Sequence, residues 1–105
     1  MLYNWTAIKG IRFEDLTDRK IIEVSVDEKR IALLKKDEHL FAFAATCPHA
    51  GAKFCTGWLD VQGRIVCPEH KYRFEPTNGR NTSGEGYKLR TYPLEIREGL
   101  IFIGL

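Results

Sequence analysis

Two short boxes of potential metal ligands stand out in the chain. The first holds Cys47 and His49, the second holds Cys67 and His70, and seventeen residues separate them. Zinc sites usually pair Cys with Cys and His with His at fixed separations, whereas each box here offers one thiolate and one imidazole. The mixed boxes therefore indicate a metal centre other than a zinc knuckle.

A 2Fe–2S cluster fits this mixed set, because one of its irons can take two thiolates while the other takes two imidazoles. Two ferric ions, two sulfides, two thiolates and two neutral imidazoles sum to zero charge, whereas four thiolates would leave two negative charges. A neutral cluster accepts an electron more easily, so its potential lies above that of plant-type ferredoxins. Pro48 and Pro68 fix φ within the boxes, which favours rigid loops.

Two alternatives remain open for these four residues. They could bind zinc, or they could be two buried cysteines and two unrelated surface histidines. Two mixed boxes placed on turn residues form a demanding pattern, which favours the cluster over both alternatives.

The boxes resemble the signature of the Rieske family, C-x-H followed at a distance by C-x2-H. The resemblance continues in further residues on either side of the second box: Gly51, Phe54, Gly57, Phe74, Asn78 and Gly79. It implies one 2Fe–2S cluster per chain, with Cys47 and Cys67 on the inner iron and His49 and His70 on the outer iron. It also implies cluster-binding loops around residues 47–57 and 67–86.

The chain departs from the high-potential members of that family. Those members carry an extra cysteine in each box, joined as a disulfide, where this chain has Ala52 and Glu69. They also hydrogen-bond the cluster sulfur through a Ser and a Tyr hydroxyl, at positions occupied here by Tyr72 and Phe74. Since such bonds stabilise the reduced cluster, we expect a potential near the lower end of the roughly −150 to +300 mV Rieske range, with Tyr72 as an alternative donor if its side chain turns inward.

The third cysteine and the third histidine are not expected to bind metal. Cys55 is predicted to be a small buried hydrophobe, with a redox-active thiol as the alternative. His39 is predicted to stand at a strand edge. A Rieske oxygenase also needs a mononuclear iron held by two histidines and a carboxylate, and only His39 remains after the cluster takes two. We therefore expect no catalytic activity in this chain itself.

Length, composition and net charge limit the classes of protein to which the chain can belong. A length of 105 residues predicts one domain over residues 1–105, and 44% hydrophobic with 29% charged residues is typical of a soluble globular protein. A net charge of +2, without basic residues interleaved with aromatics, argues against nucleic-acid binding. Neither a membrane-spanning run nor a signal sequence is visible, so we expect a cytoplasmic protein with no membrane association.

Short apolar and alternating runs predict β-strands and no amphipathic helix. The predicted strands cover residues 20–26, 31–34, 40–44, 58–61, 64–66, 89–97 and 100–103. Gln62-Gly63 and Glu98-Gly99 are the predicted hairpin turns, and Pro93 predicts a strand edge or bulge. Residues 81–86 are a predicted loop of Gly and small polar residues, and the family resemblance implies that this segment is a third loop covering the cluster. The expected fold is all-β: a Rieske-like antiparallel β-sandwich or barrel with a small cluster-binding subdomain.

The resemblance implies a one-electron carrier between a flavin-dependent reductase and a terminal oxygenase. Two other roles stay open, namely a small accessory subunit of a nitrite-reductase-like complex and a redox or iron sensor. The presence of all four ligands disfavours a purely structural role.

Charged residues around the second box suggest how a partner is attracted. Lys53, Lys71 and Arg73 form a predicted basic rim, interrupted by Glu69, that could steer an acidic partner face toward the histidines. Solvated strand ends are the alternative interpretation of the same residues.

Overall fold

The computed structural model describes residues 3–48, 51–54, 57–69 and 71–105, and its regular secondary structure within these is almost wholly β-strand. The strands are β1 (Trp5–Arg12), β2 (Ile21–Val26), β3 (Lys29–Lys36), β4 (His39–Ala44), β5 (Trp58–Leu59), β6 (Ile65–Val66), β7 (Arg73–Phe74), β8 (Thr91–Tyr92), β9 (Leu94–Arg97) and β10 (Leu100–Gly104). A 3-10 turn at Phe13–Asp15 follows β1. Among the described residues, no helix has the length and apolar character needed to cross a bilayer.

The strands form three antiparallel sheets, in the orders β1-β10-β9, β2-β3-β4-β8 and β5-β6-β7. Two clusters of buried side chains join them. One cluster joins β1 and β10 to the four-stranded sheet, and the other joins the four-stranded sheet to β6 and β7. The four-stranded sheet is therefore the middle layer, which confirms the predicted all-β sandwich with a small additional sheet.

Strand β3 shows why the middle layer has a continuous apolar sequence. Ile31 and Leu33 pack into the cluster with β1 and β10, while Ala32 and Leu34 pack into the cluster with the small sheet. All four side chains are fully buried. Because successive side chains of a strand point to opposite faces, a strand covered on both faces needs apolar residues at every position.

Pro93 divides the chain between two sheets. Tyr92 in β8 pairs with Ala42 of the middle sheet, whereas Leu94 in β9 pairs with Ile103 of the outer sheet. The prediction of one strand over residues 89–97 was therefore wrong. The strand is interrupted at Pro93, the residue from which a strand edge or bulge was predicted. Proline has no N–H for a ladder bond, so the chain changes sheets there. The hairpin of β9 and β10 around Glu98-Gly99 is confirmed.

The hairpin before Cys67 is shorter than predicted. Its strands β5 and β6 are two residues each, and residues 60–64 form the connection instead of a two-residue turn. The Asp60 carboxylate accepts the backbone N–H groups of Gln62 at 2.9 Å and Arg64 at 3.0 Å. In this Asx-type turn the Asp carboxylate accepts the N–H groups that would otherwise form inter-strand hydrogen bonds in a tight hairpin.

Strand β1 was not predicted. It pairs with β10, but its register shifts between Ala7 and Arg12, and Gly10 within it has a φ of +81°. An irregularity of this kind interrupts the alternation of inward and outward side chains, which removes the period-two signal from the sequence.

Candidate metal centre

Two cysteines follow strands of different sheets and meet in the buried layer between them. Cys47 comes soon after β4 and Cys67 directly after β6, and their exposed fractions are 2% and 0%. The Cys47 N–H donates to the Ala52 carbonyl at 2.8 Å, and the Cys67 N–H donates to the Tyr72 carbonyl at 2.9 Å. Each loop is thus closed by the same bond, from the cysteine to the fifth residue after it.

Aromatic side chains pack with the cysteines in one buried cluster. The rings of Phe54 and Phe74 stand edge to face, with centroids 5.9 Å apart, and Phe43 stacks in the same manner on Phe54 at 5.6 Å. All three are fully buried in the cluster that contains both cysteines. Close-packed rings hold their neighbours in place, so the two loops rest on a rigid support.

Gly57 allows the two loops to approach each other. A Cβ at this position would lie 2.3 Å from the carbonyl oxygen of Val66, the residue before Cys67, and 3.3 Å from Cδ of Pro68. The Gly57 N–H also donates to the Phe54 carbonyl at 2.8 Å. Any side chain here would push the first loop away from the second, which explains why the sequence has glycine.

The two thiols lie within hydrogen-bonding reach of each other. Burial and, to a smaller extent, the hydrogen bond with the Cys47 thiol raise the pKa of Cys67 to about 11, against a lowering effect of the backbone N–H of Glu69. The buried Cys67 thiol therefore stays protonated unless a cation replaces its proton. Paired soft sulfur donors of this kind fit iron in an iron–sulfur cluster.

The structure brings Cys47 and Cys67 together, as the hairpin between the boxes predicted. His49, His70 and Cys55 lie outside the described residues, so the roles assigned to them stay predictions. His39 begins β4 and is exposed, as expected for a strand edge, and its Nδ1 lies 3.0 Å from the Asp37 carbonyl oxygen.

Residues 81–86 are tied to β7 by Asn81, which the sequence interpretation did not single out. Its side-chain amide donates to the Arg73 carbonyl at 3.0 Å and to Glu85 at 2.9 Å, and its Oδ1 accepts the Gly86 N–H at 2.9 Å. Ser83 Oγ accepts the Arg73 N–H at 2.9 Å. An Asn inside a run of small polar residues was the available signal, since Asn side chains often organise loops.

Tyr72 connects this third loop to the cysteines. It packs against the buried cluster that contains Cys47 and Cys67, and its ring centroid lies 5.9 Å from that of Tyr87. Desolvation raises the pKa of Tyr72, and the negative charge of Glu85 raises it further, so the phenol keeps its proton at neutral pH.

The predicted basic rim is only partly available for steering. Arg73 Nε lies 3.2 Å from Asp60 Oδ2, so its charge is matched within the protein. Lys53 and Lys71 are exposed, and so is Glu69, which opposes them. The rim therefore carries less net positive charge than the sequence suggested.

Comparison with known proteins places this arrangement in a family. The model of the Rieske [2Fe-2S] domain matches residues 5–93. The ferredoxin component of the naphthalene 1,2-dioxygenase system of Pseudomonas putida is 28% identical over 106 residues, covering 100% of this chain and 99% of the relative. The ferredoxin component of the naphthalene 1,2-dioxygenase/salicylate 5-hydroxylase systems of Ralstonia sp. is 32% identical over 97 residues. This match covers 91% of this chain and 90% of the relative.

Solved structures share the fold along nearly the whole chain. A chain in the complex of reduced oxygenase and oxidized ferredoxin in carbazole 1,9a-dioxygenase superposes with a TM-score of 0.83 at 25% identity, covering 95% of this chain and 92% of that one. An NADH-dependent nitrite reductase small subunit of Mycobacterium tuberculosis superposes with a TM-score of 0.86 at 21% identity, covering 100% of this chain and 97% of that one. At that identity the second likeness concerns the fold alone.

The chain belongs to the Rieske [2Fe-2S] domain family, and its cofactor is a 2Fe–2S cluster. Its relatives of matching length are ferredoxin components. The protein is accordingly a Rieske-type ferredoxin, an electron-transfer component and not an enzyme in its own right.

Proposed function

We propose that this protein is the ferredoxin component of an oxygenase system, taking single electrons from a flavin-dependent reductase and delivering them to a terminal oxygenase. The observation that carries the proposal is the pair of buried, adjacent thiols of Cys47 and Cys67 on a scaffold that matches ferredoxin components from end to end. The solved complex of an oxygenase with a ferredoxin supports the choice of partner. Neither nucleic acid nor a membrane has a place in this function.

We infer that Cys47 and Cys67 bind one iron and that His49 and His70 bind the other. When bound, the cluster supplies a one-electron couple. The chain holds the two loops, around residues 47–57 and 67–86, within a single domain of residues 1–105. The Ala52 and Tyr72 carbonyl bonds and the packed phenylalanines restrict loop movement, so little reorganisation accompanies a change of charge.

The surroundings of the cysteines favour a low reduction potential. Phe74 is fully buried against Phe54 and has no hydroxyl to donate toward a cluster sulfur. Fewer hydrogen bonds to sulfur leave the reduced form less stabilised. Potentiometry should place the midpoint near the lower end of the roughly −150 to +300 mV Rieske range, and a midpoint near the upper end would contradict this inference.

The proposed location is the cytoplasm. Ala52 and Glu69 occupy the positions where high-potential members place a disulfide, so loop rigidity here does not depend on an oxidising compartment. The bonds that close the loops are backbone hydrogen bonds, which a reducing compartment leaves intact.

The accessory-subunit alternative is not favoured. The likeness to a nitrite reductase small subunit is one of fold at 21% identity, whereas the sequence relatives of full length are ferredoxin components. Both cysteines stand ready to bind metal, which a purely structural subunit would not need.

Electron paramagnetic resonance of the dithionite-reduced, anaerobically purified protein tests the cluster assignment. A rhombic signal with an average g-value below that of all-cysteine 2Fe–2S ferredoxins is expected, because two imidazoles replace two thiolates. Turnover assays with the reductase and oxygenase components of the source organism test the carrier role. Oxygenase turnover should depend on this protein, and a silent, zinc-containing sample would overturn the proposal.

A further inference from the structure

A groove of about 390 Å³ beside the third loop has no role in the function described so far. Its lining residues are Asn78, Arg80, Asn81, Gly86, Tyr87 and Lys88. Two of these residues are cations and none is acidic. The groove therefore presents positive charge next to an aromatic ring.

The two cations of the groove face each other across paired backbones. Arg80 and Lys88 are directly opposite in an antiparallel bridge. Residues in this relation have Cβ atoms about 4.5–5.5 Å apart, and like charges there are destabilising. The protein thus holds together two positive charges that would repel each other.

Neither cation has an acidic partner among the described residues. Glu75, whose backbone N–H donates to the Arg80 carbonyl, directs its carboxylate to Arg64 at 3.8 Å. Glu85, on the third loop, accepts from Asn81 at 2.9 Å. Neither carboxylate forms an ion pair with Arg80 or Lys88 among the described residues, so both cations are available to a group outside the chain.

The backbone keeps Arg80 and Lys88 side by side. The Leu89 N–H donates to the Gly79 carbonyl at 2.9 Å, immediately beside the bridged pair. Gly79 has a φ of +75°, and a Cβ there would lie 1.9 Å from the Leu89 carbonyl oxygen, so the two segments are in close contact. The backbones of Arg80 and Lys88 are therefore held adjacent, and an anion placed between the two side chains would reduce the repulsion between their charges.

The groove is close to the metal centre. Tyr87, which lines it, has its ring centroid 5.9 Å from that of Tyr72, and the Tyr72 carbonyl accepts the Cys67 N–H at 2.9 Å. One pair of rings, those of Tyr87 and Tyr72, lies between the groove and the backbone that bonds to Cys67. A protein bound in the groove would thus be held beside the cluster.

We propose that this groove docks an acidic segment of the terminal oxygenase, with its carboxylates on Arg80 and Lys88 and the apolar parts of its side chains on the Tyr87 ring. The proposal rests on the proposed function. An Arg guanidinium binds a carboxylate through two parallel hydrogen bonds, which orients the partner as well as attracting it. Such a contact fixes which face of the partner meets the cluster.

A double charge reversal, Arg80→Glu with Lys88→Glu, tests the docking site. Its matched control is Lys9→Glu with Lys29→Glu, which changes the net charge equally at two exposed lysines that do not line the groove. Stopped-flow oxidation of the reduced protein by its terminal oxygenase is measured at low and high salt. At low salt the groove variant should be slower by about tenfold and lose its salt dependence, while the control changes by less than about twofold.

A partner-free measurement separates failure of this inference from failure of the proposed function. Ferricyanide, an anion, should oxidise the reduced groove variant more slowly than the control, and hexaamminecobalt(III), a cation, should oxidise it faster. The oxidation rates of the neutral double variant, Arg80→Gln with Lys88→Gln, should lie between those of the groove variant and the control. Unchanged electron paramagnetic resonance spectra would show that the cluster is intact in each variant.

Three outcomes would overturn the docking site. Equal rates for the groove variant and the control, with oxygenase turnover retained, would remove the docking site and leave the carrier function standing. Saturable binding of inorganic phosphate in the groove, lost in the neutral variant, would assign the groove to a small anion. The groove variant could also change its oxidation rate with ferricyanide and hexaamminecobalt(III) but not with the oxygenase. That result would mean that the oxygenase docks elsewhere.

Discussion

Asp60 Oδ2 lies 3.2 Å from Nε of Arg73, and this ion pair links the β5–β6 connection to strand β7. The same carboxylate accepts the backbone N–H groups of Gln62 and Arg64. On its other side, Arg19 Nη2 donates to the Asp60 carbonyl at 3.3 Å. One side chain that is only 15% exposed thus holds the small sheet that carries Cys67.

Asp60→Asn should destabilise the protein at neutral pH. Burial opposes ionisation, but the N–H groups of Arg64 and Gln62, together with the charge of Arg73, hold the pKa of Asp60 below its ordinary value of 3.8. A lowered folded-state pKa stabilises the protein above the unfolded value and loses that effect as pH falls through the folded value. We expect a loss of about 1 kcal/mol at pH 7, or about 4–8 °C in the thermal midpoint.

The difference between Asp60→Asn and the native protein should begin to shrink as pH falls below about 4, and it should vanish below the lowered pKa of Asp60, where both carry a neutral side chain at position 60. Asp27→Asn is the matched control, because Asp27 is exposed in a turn with a φ of +48°, which Asn also adopts readily. Equal thermal midpoints for the two variants at pH 7 would show that the Asp60 contacts contribute nothing.

Gly79→Ala should be far more damaging than Gly84→Ala. Both glycines have positive φ, +75° and +90°, so alanine is strained at either position. At Gly79 the new Cβ would also lie 1.9 Å from the Leu89 carbonyl oxygen, whereas at Gly84 nothing lies within 4 Å. Urea unfolding should show a loss of about 1 kcal/mol for Gly84→Ala and at least about 3 kcal/mol for Gly79→Ala. Similar losses would mean that the two segments are not in close contact.

The Cys67 thiol should react slowly with iodoacetamide when the metal has been removed. Burial and the neighbouring Cys47 raise its pKa to about 11 from an ordinary value of 9.0, so almost no thiolate is present at pH 8. The raised value stabilises the folded, metal-free protein below pH 9, and that contribution is lost as pH rises toward 11. Mass spectrometry of labelled peptides, with a urea-unfolded control, follows the reaction. Equal labelling rates in both states at pH 8 would contradict the burial of this thiol.

Serine substitutions should distinguish the two cysteines that bind metal from the third cysteine, Cys55. Cys47→Ser or Cys67→Ser is expected to abolish the visible spectrum and most bound iron, because a serine hydroxyl is a poor substitute for thiolate. Cys55→Ser should leave both unchanged. Iron and sulfide analysis alongside absorbance checks the result, and a bleached Cys55→Ser protein would overturn the ligand assignment.

Local patterns explain why the strands and the site were predictable from the sequence. The runs at residues 31–34 and 40–44 are apolar enough that only burial explains them, and they coincide with β3 and β4. The boxes around Cys47 and Cys67 carry their chemistry in residue type and spacing, which do not depend on knowing the fold. Strand β1 was missed because its irregular pairing hides the alternation.

Residue types and their spacing were enough to predict the all-β class, the cysteine pair and the cofactor it suits, because apolar periodicity and ligand spacing are local properties of the chain. The coverage of the middle sheet on both faces, the change of sheets at Pro93 and the ion pair of Asp60 with Arg73 became visible only in the folded protein. The opposition of Arg80 and Lys88 became visible in the same way. These relationships depend on how segments pair and pack, and their energies arise from packing and charge that exist only once the layers have assembled.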